Sequence, residues 1–244
     1  MRSETPTQWK AGVNLSVVEI IVLNKEDAKI AESHGADRLE LVSAIAEGGL
    51  TPSYGSIKTV VESVKIPVMV MVRPHSYSFV YRKEEWTAIR EDIRAARELG
   101  AAGIVFGAIT EQKEIDFELL AMVLEEAKGL SVTFHRAIDE TNPCETYHSL
   151  CQSPYRPDRI LTSGGQMRVS EGLEALKKMI AESGRSADAP VIMPGSGLAI
   201  ENIASIHEQL QAREYHFGSA VRMNGSFYSP IDGDMLEKIK KMIN

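Results

Sequence analysis

Eight short apolar runs, each followed by a longer amphipathic stretch, recur along the 244 residues. The runs are Val17–Leu23, Asp37–Val42, Pro67–Val72, Gly103–Phe106, Ser131–His135, Arg159–Thr162, Pro190–Met193 and Tyr215–Phe217. They are short, β-branched and nearly continuous, as strands are when both faces are covered. The stretches between them carry helix signals. Asn24 is an N-cap for a helix reaching about His34, and Gly35 closes it. Thr51-Pro52 opens the second helix, since proline suits a first turn. Further helices are predicted over Glu84–Leu99, Asp116–Ala127, Pro143–Cys151, Ser170–Glu182, Ile200–Leu210 and Asp234–Ile243. Alternating units of this kind make a parallel sheet. Eight of them in about 250 residues predict a single-domain α/β fold, the (β/α)8 TIM barrel. A doubly wound open sheet competes less well, because the first turn, Val22–Lys25, has no glycine. The barrel is expected over 17–244, after an N-terminal extension over 1–16. Gly184–Ala189 is expected to be a surface loop.

Charge and cysteine content narrow the function classes. The net charge of −7 disfavours binding to nucleic acid or to anionic membranes, which want a basic surface. No stretch reaches the ~18 apolar residues of a membrane span. No apolar segment follows the first basic residues, so no signal peptide is expected and the expected compartment is the cytoplasm. Cys144 and Cys151 are too few for a disulfide framework and read as reduced thiols.

Barrel strands alternate between the interior and the helix layer, and the helix-facing side must be apolar. Ionisable residues inside these runs therefore point inward or to the mouth. They are Glu19, Glu40, Arg73, His135 and His216, with Ser163 just past the sixth run. Most lie at strand C-termini, where barrel active sites sit. Buried charges need partners, and Arg73 is expected to pair with Glu40 or Glu19. Glu40 and His135 are candidates for acid–base work. Arg136 and Asp139 follow His135 in the same loop. Arg73 and Arg136 are candidates to hold an anionic or polyhydroxylated small molecule. Asp139 would orient a neighbour, or simply brace Arg136. Gly164 and Gly165 follow strand six, and Gly195 and Gly197 follow strand seven. Such glycines let backbone N–H groups approach an anion, though they also make plain turns. Glu19, Glu40, His135 and His216 together would also suit Zn or Mn.

Several runs also resemble the copper-homeostasis CutC family. They include Ala36–Leu41, Ala46–Ser53, Val70–Pro74, Phe79–Tyr81, Leu99–Gly107, Thr133–Asp139, Arg159–Gly165 and Ile192–Gly197. The likeness is colinear over about residues 17–220. It implies a cytoplasmic barrel, a homodimer or higher homo-oligomer, and a role in copper homeostasis by way of copper binding. Family members often carry a cysteine two residues after the strand-one glutamate and another two after the strand-two glutamate. Here Ile21 and Val42 stand at those positions. Thiolate ligands for Cu(I) are therefore missing where the resemblance would put them. Met69, Met71 and Met193 supply thioethers, whose expected role is barrel filling. Three functions remain open at this point: copper handling, an enzyme of small anionic substrates, and an oligomeric scaffold.

Overall fold

The computed structural model describes residues 15–244. Eight parallel strands alternate with eight helices. The strands are β1 Val17–Val22, β2 Arg38–Leu41, β3 Val68–Met71, β4 Gly103–Phe106, β5 Ser131–Phe134, β6 Arg159–Thr162, β7 Val191–Pro194 and β8 Glu214–Phe217. The helices are α1 Lys25–Ser33, α2 Tyr54–Val61, α3 Trp86–Glu98, α4 Phe117–Glu126, α5 Pro143–Gln152, α6 Leu173–Ser183, α7 Ile203–Leu210 and α8 Gly233–Ile243. Consecutive strands are neighbours, β1 also pairs with β8, and a parallel bridge from Gly195 to His216 closes the ring. The chain is a (β/α)8 barrel, as the alternation predicts.

Side-chain caps set four of the eight helix starts. Asn24, Asp116 and Asp232 each accept a hydrogen bond from a backbone N–H three residues on, which satisfies one of the orphan donors of a helix N-terminus. Three starts differ from the sequence expectation. Ser53 caps α2 by accepting from Ser56 N, so Pro52 lies before the cap rather than in the first turn. α7 begins at Ile203, whose N–H donates to the Ala199 carbonyl, while the Asn202 side chain accepts from the Ala199 N–H just before the helix. α6 begins at Leu173 because the chain first turns tightly at Gly172. A Cβ on Gly172 would stand 1.9 Å from the Ser163 carbonyl, so only glycine fits.

The helix-facing strand residues, such as Ile20, Leu39, Leu41, Ile104, Phe134 and Phe217, are buried in one apolar layer with the inner faces of the helices. The opposite parity fills the barrel. Met69, Met71, Val42 and Val105 form a separate small apolar cluster inside it. Glu19, Arg38, Glu40, His135 and His216 are buried on the same parity, and these polar groups build the site. The extension expected over 1–16 falls outside the described residues for 1–14. Ser16 is buried and donates from Oγ to Ala212 O, at the start of β8. Gly184–Ala189 is an exposed loop apart from a half-buried Ala189. Among the described residues no helix is long and apolar enough to cross a membrane. Cys144 and Cys151 are free, half-buried and both on α5.

Candidate functional site at the barrel mouth

The N-terminal end of the barrel is braced by arginines. Arg38 pairs with both Glu19 and Glu214. Arg159 donates to Glu214 at 3.1 Å and to the Ser131 and Thr133 hydroxyls at 2.9 and 3.2 Å. This corrects the expected pairing of Arg73 with Glu40 or Glu19. Glu19 sits opposite Arg38 in the β1–β2 register, whereas Arg73 lies beyond the end of β3. Arg38, Arg159 and Glu214 were missed because they begin their strands. Their parity, the same as that of Glu40, Leu161 and His216, is the signal that marks them.

Above this brace lies a line of three buried side chains. His216 Nδ1 is 2.8 Å from Glu19 Oε1, and its Nε2 is 3.6 Å from Glu40 Oε2. Burial pushes the Glu19 carboxyl up, but Arg38 and His216 outweigh it and hold the group well below the usual carboxylate range. Burial pushes the Glu40 carboxyl up to about 7; His216 opposes the rise and Glu19 adds to it. For His216, burial works against the charged ring, but the two carboxylates overcome it and raise its pKa. Glu40 Oε1 has no hydrogen-bond partner among the described residues. The structure thus places an acid of near-neutral pKa beside an imidazole whose far side is fixed by Glu19.

His135 behaves differently from the expected acid–base group. Its Nδ1 accepts from Ala137 N at 3.2 Å, which puts the ring proton on Nε2. Among the described residues Nε2 is buried without a partner. Burial, helped by the Arg73 and Arg136 charges, lowers its pKa to about 3. The ring is therefore neutral at pH 7 and serves as an N–H donor. Arg73 is 7% exposed. Its Nη1 donates to the carbonyls of Glu47 and Gly49, and its guanidinium lies over the Phe79 ring.

A cavity of about 510 Å³ opens at the C-terminal ends of the strands, lined by Glu40, Glu47, Arg73, Phe79, His135 and His216 among others. That is the face where barrel enzymes do their chemistry.

Asp139 braces Arg136, one of the roles expected for it. Its carboxylate accepts from Arg136 Nε at 2.8 Å, Thr162 Oγ1 at 2.5 Å, Ser163 N at 3.1 Å and Gly165 N at 2.9 Å. Arg136 lines the cavity, but its guanidinium is committed to Asp139, Ser163 Oγ and Gln166 O. The Gly164 N–H is taken by Thr162 Oγ1 and the Gly195 N–H by Thr162 O. The first bond is internal to its turn, the second joins β7 to β6, and neither donor is free for an anion. Gly197, at φ +71°, does line the cavity.

Among the described residues no three His, Cys, Asp or Glu side chains are arranged to hold a metal ion. The set Glu19, Glu40, His135 and His216 fails for a physical reason. Both Glu19 oxygens are engaged by Arg38 and His216, and the free nitrogen of His135 carries a proton. Soft donors for copper do not converge either. Cys144 and Cys151 lie on the outer helix α5, Met193 Sδ accepts from the cationic Arg38, and Met69 and Met71 pack with Val42 and Val105.

Residues 16–221 match the model of the CutC family. The human copper homeostasis protein cutC homolog is 40% identical over 217 residues, covering 88% of this chain and 77% of its own. A CutC family protein of Salmonella heidelberg is 37% identical over 208 residues, covering 85% and 81%. The crystal structure of a CutC protein from Streptococcus agalactiae superimposes with a TM-score of 0.74 at 29% identity, covering 83% of this chain and 98% of that one. Phosphoribosyl anthranilate isomerase from Thermococcus kodakaraensis shares the fold, with a TM-score of 0.62 at 18% identity, covering 94% and 99%. Sequence match and barrel geometry agree, and the chain belongs to the CutC family.

Proposed function

We propose that this chain is an enzyme that moves a proton on a small, oxygen-bearing molecule held in the barrel mouth. One observation carries the reading: Glu40 is fully buried, has a free carboxylate oxygen, lines the cavity and has a pKa raised to about 7. A group poised near the working pH is what general acid–base catalysis needs. Ionised, Glu40 accepts a proton from the ligand through Oε1. Before the transfer His216, held by Glu19, stabilises the ionised carboxylate from its other side. Glu19 and His216 position and tune Glu40, and they do not themselves face the reacting atoms in this scheme. The test is deuterium exchange. The full chain is incubated in D2O with hydroxy acids, keto acids and sugar phosphates, and loss of C–H signal is followed by proton NMR. Exchange in wild type that disappears in Glu40→Gln is expected. A panel without exchange, or exchange unaltered in Glu40→Gln, would overturn the assignment.

A second reading comes from the human relative's name, which is for copper homeostasis. Under it the protein acts in copper homeostasis indirectly, through a metabolite turned over in the mouth, because among the described residues both cysteines lie on the outer helix α5 and the Met193 thioether accepts from Arg38. A cytoplasmic homo-oligomer completes this reading. Light scattering on the purified chain tests the oligomer.

A further inference from the structure

Arg73 is a buried cation without an anion. Of its three nitrogens only Nη1 has acceptors, the carbonyls of Glu47 and Gly49. Its Nε is buried and unpartnered. The Tyr81 hydroxyl lies nearby but makes no hydrogen bond of good geometry. No carboxylate pairs with Arg73 among the described residues. Glu47, which shares the cavity, turns its carboxylate to Ser76 Oγ. The other arginine of the mouth, Arg136, pairs with the Asp139 carboxylate and donates to Ser163 and Gln166 as well. The asymmetry is informative, because a buried charge is costly unless paired.

His135 adds a second orphan donor to the same wall. Its Nδ1 takes the Ala137 N–H, so the buried Nε2 carries a proton and has no acceptor. One aromatic ring orients both groups. The Arg73 guanidinium carbon stands 4.6 Å from the Phe79 centroid, and the His135 ring 4.8 Å from it. Both side chains line the cavity. The wall therefore offers one fixed positive charge and several N–H donors, in a cavity whose carboxylates are those of Glu40, Glu47 and Glu140. A purely structural Arg73 would need only the two carbonyl contacts of Nη1. Arg222 is also buried with an unpartnered Nε, but Asp27 pairs with it, whereas among the described residues Arg73 has no carboxylate.

We infer that the Arg73–His135 wall is a receptor for a permanent oxyanion of the ligand, a carboxylate or a phosphate. The planar guanidinium fork matches either group, and the neutral imidazole adds a donor without a second charge. This deepens the proton-transfer reading and rests on it for the ligand being a substrate. It narrows the substrate to a small anion whose charged end docks on the β3 and β5 side of the mouth. The binding itself stands on the wall alone.

The test uses the ¹⁵N-labelled full chain at pH 7. It is titrated separately with sodium glycolate and with inorganic phosphate, and with glycolamide and glycerol as neutral controls. Calorimetry gives affinities, and the His135 Nε2 and Arg73 Nε resonances give the location. At least one anion is expected to bind and to shift both resonances, while the neutral compounds do not. Glycolate alone identifies a carboxylate site, phosphate alone a phosphoryl site, and both a general oxyanion site. Arg73→Met is expected to weaken binding by about tenfold or more, and Arg73→Lys to restore part of it. If Arg73→Met does not fold, the wild-type resonances and Arg73→Lys decide. Binding of neither anion, equal binding of the neutral controls, or undiminished binding in a folded Arg73→Met would overturn the inference. Anion binding without deuterium exchange would sink the proton-transfer reading alone, and exchange without anion binding would sink the receptor alone.

Discussion

His216 Nδ1 lies 2.8 Å from Glu19 Oε1, deep in the barrel, and this bond joins the arginine brace to the mouth. Arg38 holds the other Glu19 oxygen, so one buried carboxylate serves a structural cation and a site imidazole together. Glu19→Gln removes the charge that both need. Stability at pH 7 should fall by about 3 kcal/mol, the usual cost of breaking a buried pair from one side. The His216 pKa should fall as well, because Glu19 is one of the two carboxylates that raise it. Urea unfolding and NMR titration of His216 check these two outcomes. If both stayed at wild-type values, the link between brace and mouth would be refuted.

Glu40 should make the fold less stable as pH rises through the neutral range. In the unfolded chain its carboxyl titrates at the ordinary 4.5, and in the fold at about 7. Below 4.5 both states hold the proton and the benefit of burial is complete. Between 4.5 and 7 the unfolded chain releases its proton first, so stability drops. Above 7 the loss is full, and at about 1.4 kcal/mol per unit it reaches about 3 kcal/mol. Glu40→Gln cannot ionise. The stability difference between wild type and this variant should therefore shrink by about that amount from pH 4.5 to 7.5. His216 is coupled to Glu40, so the difference reports the pair. Urea denaturation across this range measures it, and a flat difference would contradict the raised pKa.

The barrel was legible because its strands are unbroken apolar runs with helices between them, a pattern few other folds share. Glu40, His135 and His216 were legible for a related reason. An ionisable residue in an apolar strand has only the interior to face. What the pattern hid was pairing. Arg38 opens β2 beside Asp37 and reads as the polar edge of a strand, although register sets it against Glu19. The role of His135 depends on one contact, Ala137 N to Nδ1, which is made by a turn after the strand and has no sequence signature. Asp139 and Arg136 looked like chemistry because charged residues after a barrel strand often are. Here the carboxylate is saturated by the β6 turn, and only the fold brings that turn to it.

Asp139→Asn should therefore act on stability first. The carboxylate accepts from Arg136 Nε, Thr162 Oγ1, and the N–H groups of Ser163 and Gly165. An amide turns an NH2 group toward at least one of these donors. The expected loss is about 2–4 kcal/mol, with faster amide exchange at Gly165. Urea unfolding and hydrogen exchange detect both effects. A variant of wild-type stability whose only defect was catalytic would restore Asp139 to the reaction.

Copper should find no stoichiometric high-affinity site on the monomeric chain. Cu(I) wants thiolate or thioether donors converging within one coordination sphere. Ile21 and Val42 supply none, and the Met193 thioether already accepts from Arg38. Cys144 and Cys151 are seven residues apart on α5, about 10 Å along the axis, too far to share an ion. Titration of the reduced protein with Cu(I) against a chromogenic competitor is expected to give the same curve for wild type and for Cys144→Ser with Cys151→Ser. One equivalent bound tightly by wild type and lost in the double variant would show that the thiols do converge in solution.

Gly107 should prove as important to the mouth as the side chains that line it. A Cβ at this position would stand 2.5 Å from His135 Nδ1 and 2.7 Å from Cε1, well inside contact distance. The ring cannot simply retreat, because Phe79 packs 4.8 Å away and Phe134 6.2 Å away, centroid to centroid. Gly107→Ala therefore forces the imidazole to rotate and give up the Ala137 N–H. Overpacking of this kind costs about 1–3 kcal/mol. The more specific consequence is at the ring. Without the Ala137 contact nothing fixes the proton on Nε2, and the donor that faces the cavity is lost for part of the time. The ¹⁵N spectrum of His135 should change from a single Nε2–H tautomer to a mixture, while Glu40 and His216 titrate as before. A wild-type tautomer in Gly107→Ala would mean that the backbone at residue 107 yields instead of the ring.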